Sequence, residues 1–300
     1  MADSSATAAA DAGAKRQKRP RLAKLADGLQ AAGVERLPQK KYFRQRAHSN
    51  PYNAGILDDI APRFPGDMDW ARLYPAYASP QGEGGLTKAV EVADVGCGFG
   101  GLLFGLAAEP STKQLLSVGM EIRLKVSEYV RVRIQNTRVT EDTHHEVSVV
   151  RSNAMRYFAH YFAKGQLSKV FTCFPDPHFK RAKHDRRIVS QALLAEYAFC
   201  IRPGGRLYTI TDVYDLHVWM RVHGQHHCAF RMLSPEEVEA DPCTRVMRES
   251  TEEGMKVERE DRMKYVAIFE RLPDDAVRAQ FHAATLWDAP DPPALYDAEM

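Results

Sequence analysis

Asp176 lies between Pro175 and Pro177 in the stretch Val170-Phe-Thr-Cys-Phe-Pro-Asp-Pro-His-Phe-Lys-Arg181. An apolar, β-type run breaks at Pro175, so this single carboxylate is expected at the C-terminal end of a strand. A carboxylate there can accept hydrogen bonds from the N–H groups of a heterocycle, or it can merely cap a turn. Lys180, Arg181, Lys183, Arg186 and Arg187 follow at once. Such a run is either a solvated face or a strip that meets a phosphate backbone. A fixed acid beside a cationic strip suits an enzyme that handles a base attached to phosphates.

A second chemical signal is Asp94-Val-Gly96-Cys-Gly98-Phe-Gly100-Gly101, which follows a predicted strand and precedes a predicted helix. Glycines there let the backbone turn tightly and let a ligand come close. Gly96, Gly98 and Gly101 also satisfy the GxGxxG pattern, and Glu121 comes at the end of the next strand, where an acid can hold ribose hydroxyls. That spacing alone also fits a nicotinamide-dependent oxidoreductase. Asp94 at the tip of the first strand tilts the reading, because it would repel a pyrophosphate and attract a cationic ligand. Pro203-Gly204-Gly205, closing a helix before a later strand, is punctuation frequent in class I methyltransferases. The leading expectation is therefore a nucleic-acid methyltransferase using S-adenosylmethionine. The alternatives are the oxidoreductase and an RNA-binding scaffold without catalysis.

The elements that position these groups are legible as hydrophobic periodicity. Strands are predicted over 89–95, 114–121, 147–151, 169–174, 206–211 and 265–271, with a helix opening at 102–108. Val126, Tyr129, Val130 and Ile134 share one face of a helix, as do Ile188, Leu194, Tyr197, Ala198 and Ile201, and Trp219 is placed on a further helix. Alternating strands and helices with short turns predict a Rossmann-like α/β fold, a mostly parallel, doubly wound sheet with an antiparallel late strand. At 300 residues and 44% hydrophobic content the chain can bury one substantial core. Residues 1–35 read as a disordered basic arm, 36–88 as a flap, 89–272 as the methyltransferase domain and 273–300 as an acidic tail.

A net charge of +2 hides local patterning, with Lys15, Arg16, Lys18, Arg19, Arg21 and Lys24 crowded into the arm. That cluster reads as a nuclear address, an RNA-attracting tail or a plain solvated segment. Five scattered cysteines without CxxC spacing fit reduced thiols, and no apolar run reaches the ~20 residues of a membrane span. The expectation is a soluble, intracellular protein. His223, His226, His227 and Cys228 lack a second ligand pair at zinc-site spacing, so no metal is expected. Tyr42 and Phe43, among Lys40, Lys41, Arg44 and Arg46, either stack on unpaired bases or pack the flap. Ser49, downstream of Arg44 and Arg46, is a candidate phosphorylation site.

Tyr42–Pro51, Asp94–Gly101, Gly119–Arg123, Arg151–Met155, Phe174–Arg181, Leu194–Tyr197, Thr209–Asp212 and Ser250–Gly254 together resemble the catalytic subunit of eukaryotic tRNA (guanine-N7-)-methyltransferases. The resemblance spans roughly residues 40–272. It implies class I methyltransferase topology and methyl transfer from S-adenosylmethionine to N7 of a guanosine in the tRNA variable loop. An N7 target in another RNA (cap, mRNA or rRNA) is the nearest competitor. By matched position, Gly96 and Gly98 underlie the cofactor, Glu121, Ile122 and Arg123 border its ribose, and Asn153 and Ala154 flank the adenine. Cys173 lines the pocket where other members carry a larger apolar residue, and Thr251 and Glu253 close over the methionine end. Asp176 matches the active-site residue. Lys40, Lys41, Arg44, Lys180, Arg181, Lys183 and Arg187 are assigned to tRNA. The resemblance also implies a non-catalytic WD40 β-propeller partner, faced by Arg156 and Glu196. The expected location is the nucleus, with the cytoplasm as a second compartment.

Overall fold

The computed structural model describes residues 38–43, 50–52, 61–80 and 85–283. The strands are β1 (Val90–Val95), β2 (Leu116–Glu121), β3 (Val147–Arg151), β4 (Leu167–Cys173), β5 (Ile201–Thr211), β6 (Phe230–Met232) and β7 (Tyr265–Arg271). They form one sheet in the order β3-β2-β1-β4-β5-β7-β6. β1 to β5 pair in parallel, and β7 is antiparallel to both β5 and β6. This is the class I methyltransferase arrangement, with the antiparallel late strand at Tyr265–Arg271.

Strand residues alternate between two cores because successive Cβ atoms leave a strand on opposite faces. Ala93, Val170, Leu207 and Ala267 join one core, while their neighbours Val92, Phe171, Tyr208 and Ile268 join the other. Helices α1 (Trp70–Leu73), α4 (Ala154–Tyr161), α5 (Gln191–Cys200) and α6 (Tyr214–Gln225) pack on the first. The opposite face is covered by α2 (Gly101–Ala108), α3 (Leu124–Thr140), α7 (Pro235–Ala240) and α8 (Pro242–Ser250). α9 (Glu252–Arg259) leads back to β7, and α10 (Asp274–Ala283) follows it.

The flap is anchored by aromatic burial. Phe43 is fully buried, edge-on to Tyr129 with ring centroids 5.6 Å apart. Tyr74 donates to the Ser117 carbonyl at 2.7 Å, and Trp70 stacks on Phe162 at 6.0 Å. At the other end the segment expected as an acidic tail begins with α10. Asp274 bonds Arg271 at 2.6 Å, and Val277 packs against the core.

Pro203-Gly204-Gly205, expected as a stop before β5, lies inside β5 as a bulge. Register jumps there from Leu167↔Ile201 to Lys169↔Arg206. Gly204 has φ +77°, and a Cβ on Gly205 would come within 3.0 Å of the Ser168 carbonyl. The two glycines thus provide the extra residues and the close strand approach of a bulge.

Candidate active site

The cleft lies beyond the C-terminal ends of β1, β2, β4 and β5, where open parallel sheets bind ligands. Two lobes, of about 220 and 430 Å³, share Gly96, Arg123, Cys173, Phe174, Pro175 and Asp176. Glu121, Ile122, Asn153 and Ala154 line the first lobe; Asp94, Gly98, Thr251 and Glu253 line the second.

The glycine turn takes its shape from left-handed backbone, with φ +78° at Gly96 and +54° at Gly98, and a Cβ at neither would meet anything. That open face leaves a ligand free to lie against the main chain. The turn is held from beneath, as Gly96 N–H donates to the Met120 carbonyl at 2.8 Å. Glu121 is 2% exposed and organises the next loop. Its Oε2 accepts from Gly98 N–H at 3.1 Å and from Arg123 Nη2 at 3.0 Å. Its Oε1 accepts from Arg123 N–H at 2.8 Å and Nε at 3.0 Å.

Asp94 is also 2% exposed. Burial, with Glu252 and Glu121 nearby, pushes its carboxyl up to about 8. This crowding of acids already disfavours ionisation of Asp94, so a pyrophosphate would add to the strain and a cation would relieve it. The residues therefore fit S-adenosylmethionine, whose sulfonium and ammonium are both cationic. Burial, with Asp94 beside it, raises the Cys173 thiol well above its usual range, so a neutral thiol lines both lobes.

Asn153 and Thr251, which also line the cleft, are tied to the backbone. Asn153 caps α4 by accepting from Met155 N–H at 3.1 Å, and its Nδ2 donates to the Pro51 carbonyl at 2.6 Å, joining the flap to the cleft. Thr251 caps α9, accepting from Gly254 N–H at 3.1 Å and donating to the Met247 carbonyl at 2.9 Å. Glu253 is exposed and pairs with Lys256. Glu252, not singled out by its sequence, accepts from Gly101 N–H at 3.3 Å and pairs with Lys40 at 3.0 Å.

Asp176 lies on the loop leaving β4. Phe174 and His178 on either side hold positive φ (47° and 44°), a strained backbone of the sort that gathers at functional sites. The Asp176 side chain is 28% exposed, its Oδ1 accepts from His178 N–H at 3.3 Å, and its Oδ2 lies 3.8 Å from His178 Nδ1. The carboxylate is thus oriented while still facing the cleft.

The cations after it divide. Lys180, Arg181 and Lys183 are exposed. Lys180 and Lys183 have no ion pair among the described residues. Arg187, expected beside them on the RNA, is instead 5% exposed. Its Nε donates to the Pro177 carbonyl at 2.9 Å, and its guanidinium lies 4.6 Å from the Trp219 ring centroid. Arg187 thus ties the Asp176 loop to α6, and in this structure it is not part of the outward strip.

Lys41 lies over the Tyr42 ring, and Phe43 belongs to the core beneath the glycine turn. His223 stacks on Trp219, and His226 lies 2.8 Å from the Val222 carbonyl. No metal-type cluster occurs among the described residues. Arg156 is exposed on α4, and Glu196, half-buried on the adjoining α5, has its carboxyl raised by burial. Arg44, Ser49, the arm and the last 17 residues (284–300) lie outside the described residues.

A class I fold with three acids around a glycine turn defines an S-adenosylmethionine-dependent methyltransferase, and residues 88–267 match the family described as putative methyltransferase. A tRNA (guanine-N(7)-)-methyltransferase of Neurospora crassa is 48% identical over 285 residues, covering 87% of this chain and 95% of that one. One from Candida glabrata is 50% identical over 240 residues, covering 79% and 82%. The chain belongs to the tRNA (guanine-N7-)-methyltransferase family. Among solved structures, the 16S rRNA methyltransferase KamB aligns with TM-score 0.40 at 13% identity, over 62% of this chain and 89% of that one.

Proposed function

We propose that this enzyme methylates N7 of a guanosine in the tRNA variable loop, as the catalytic subunit of a complex with a WD40 β-propeller protein. The observation that carries the catalytic part is the sharing of one cleft wall by Gly96 and Asp176. Cofactor and base can therefore meet without rearrangement of the sheet.

Guanine N7 has an in-plane lone pair, so no base is needed to deprotonate it. S-adenosylmethionine supplies a methyl group on a sulfonium, a strong electrophile. What the chain must add is alignment, which can lower a barrier by roughly 7–11 kcal/mol. Asp176 is suited to accept from guanine N1–H and the exocyclic amine, which turns the imidazole edge towards the second lobe. Its negative charge also favours the purine as positive charge develops. Asp176 thus orients and stabilises; it does not act as a general base. Arg187 keeps the loop in place through the Pro177 carbonyl.

Chemical cleavage at N7-methylguanosine in tRNA treated with the enzyme tests the target. Cleavage in the variable loop is expected, and cleavage elsewhere, or only in another RNA, overturns it. For the propeller, support comes from the family resemblance and from Arg156 and Glu196 on the packed pair α4 and α5, beside the half-exposed Phe199. Undiminished complex formation by Glu196→Lys would remove that face. We place the enzyme in the nucleus on the strength of the basic run at Lys15–Lys24. Phosphate on Ser49 would add charge to the flap that Pro51 ties to Asn153, and Ser49→Asp is expected to methylate more slowly.

A further inference from the structure

Phe179 is 74% exposed, more than any other large hydrophobic among the described residues. Its ring belongs to none of the hydrophobic clusters. It follows Asp176 by three positions, and the loop between them is built to turn it outward. The positive φ of His178 reverses the chain, and the His178 side chain, 13% exposed, lies back against Asp176. Arg187 fixes the preceding carbonyl, so the base of the loop is rigid while the ring beyond it is free. Phe179 makes no ring contact among the described residues. The exposed cations Lys180, Arg181 and Lys183 follow it immediately.

A rigidly presented aromatic face among cations is the arrangement by which proteins stack on unpaired nucleobases. A guanine that reaches Asp176 inside the cleft must leave its own stack. Its neighbour in the RNA then exposes a face at the cleft mouth. We propose that Phe179 stacks on the base flanking the target guanosine and so holds the extruded conformation, a specificity determinant that deepens the tRNA reading and rests on it.

The test uses the full-length enzyme with saturating S-adenosylmethionine and a tRNA transcript carrying 2-aminopurine beside the target guanosine. Phe179→Ala is expected to lower kcat/KM for tRNA roughly 5- to 150-fold, the 1–3 kcal/mol of one base stack. Binding of S-adenosylhomocysteine should not change. Phe179→Trp should restore the rate, and Phe179→Leu, with bulk but no π face, should not. The parent should quench 2-aminopurine on binding, and Phe179→Ala should not. Parental kcat/KM in Phe179→Ala, or full rescue by leucine, overturns the stacking role. If the parent itself leaves N7 of tRNA unmodified, the tRNA reading fails, and the inference falls with it.

Discussion

The ends of β1 and β2 and the end of β4 lie side by side in one sheet and treat charge in opposite ways. Around the glycine turn the charged groups point inward: Asp94 is buried, Glu121 is engaged by Arg123, and Glu252 is paired with Lys40. Beyond Asp176, Lys180, Arg181 and Lys183 point outward, and Lys180 and Lys183 have no ion pair among the described residues. The first region suits a small cation, and on the proposed function the second meets a polyanion. Low dielectric strengthens the buried acids, whereas exposed cations act by releasing counterions and are screened by salt. One carboxylate, Asp176, belongs to both regions.

The comparison can be broken most forcefully by removing what supports the inward region. Phe43→Ala should cost about 3–5 kcal/mol of stability, read as a lower urea midpoint, because Phe43 fills the core beneath Cys97 and Leu103. An unchanged midpoint would mean that the flap does not support the turn. Next is the contrast in salt response. Reversing Lys180 and Lys183 to Glu should weaken tRNA binding at least tenfold and reduce the log–log salt slope by about two. S-adenosylhomocysteine affinity should stay parental and vary little with salt.

Asp94 sharpens the inward side through pH. Its carboxyl lies near 8 in the folded protein against an ordinary 3.8. The folded state thus holds an extra proton between those values. This group's contribution to stability is greatest below about pH 4 and declines as pH rises to 8. Asp94→Asn should flatten that decline in thermal melts of the ligand-free enzyme, and it should weaken binding of the cationic cofactor. A parallel decline in the variant would assign the pH dependence to other groups. The smallest effect is expected at Lys40, whose partly exposed pair with Glu252 is worth about 0–1 kcal/mol. A larger loss of cofactor affinity in Lys40→Ala would show that the pair fixes Glu252 over the turn.

Much of this was legible in the sequence, because long strands with alternating cores carry their own signal. The 147–151 and 265–271 strands fall where periodicity places them, and the glycine turn and the Pro-Asp-Pro loop mark the two lobes. β6 is three residues long, too short for a period to register. α7 and α8 were missed although Ser234 and Glu237 form a capping box and Asp241 caps the next helix. Glu252 meets Gly101 across 151 residues, a contact no local pattern reports. Arg187 reads like Lys183 in the chain, and only the fold puts Pro177 and Trp219 beside it. The Pro-Gly-Gly triplet signals a break, but helix stop and strand bulge use the same residues.

The central claim is that Asp176 aligns a guanine for attack and does not build the cofactor site. Single-turnover methylation of tRNA by Asp176→Ala, with S-adenosylhomocysteine affinity measured on the same protein, tests it most directly. The account predicts a rate lowered by at least a hundredfold with affinity retained. A variant that is folded, binds cofactor and methylates at the parental rate would contradict it.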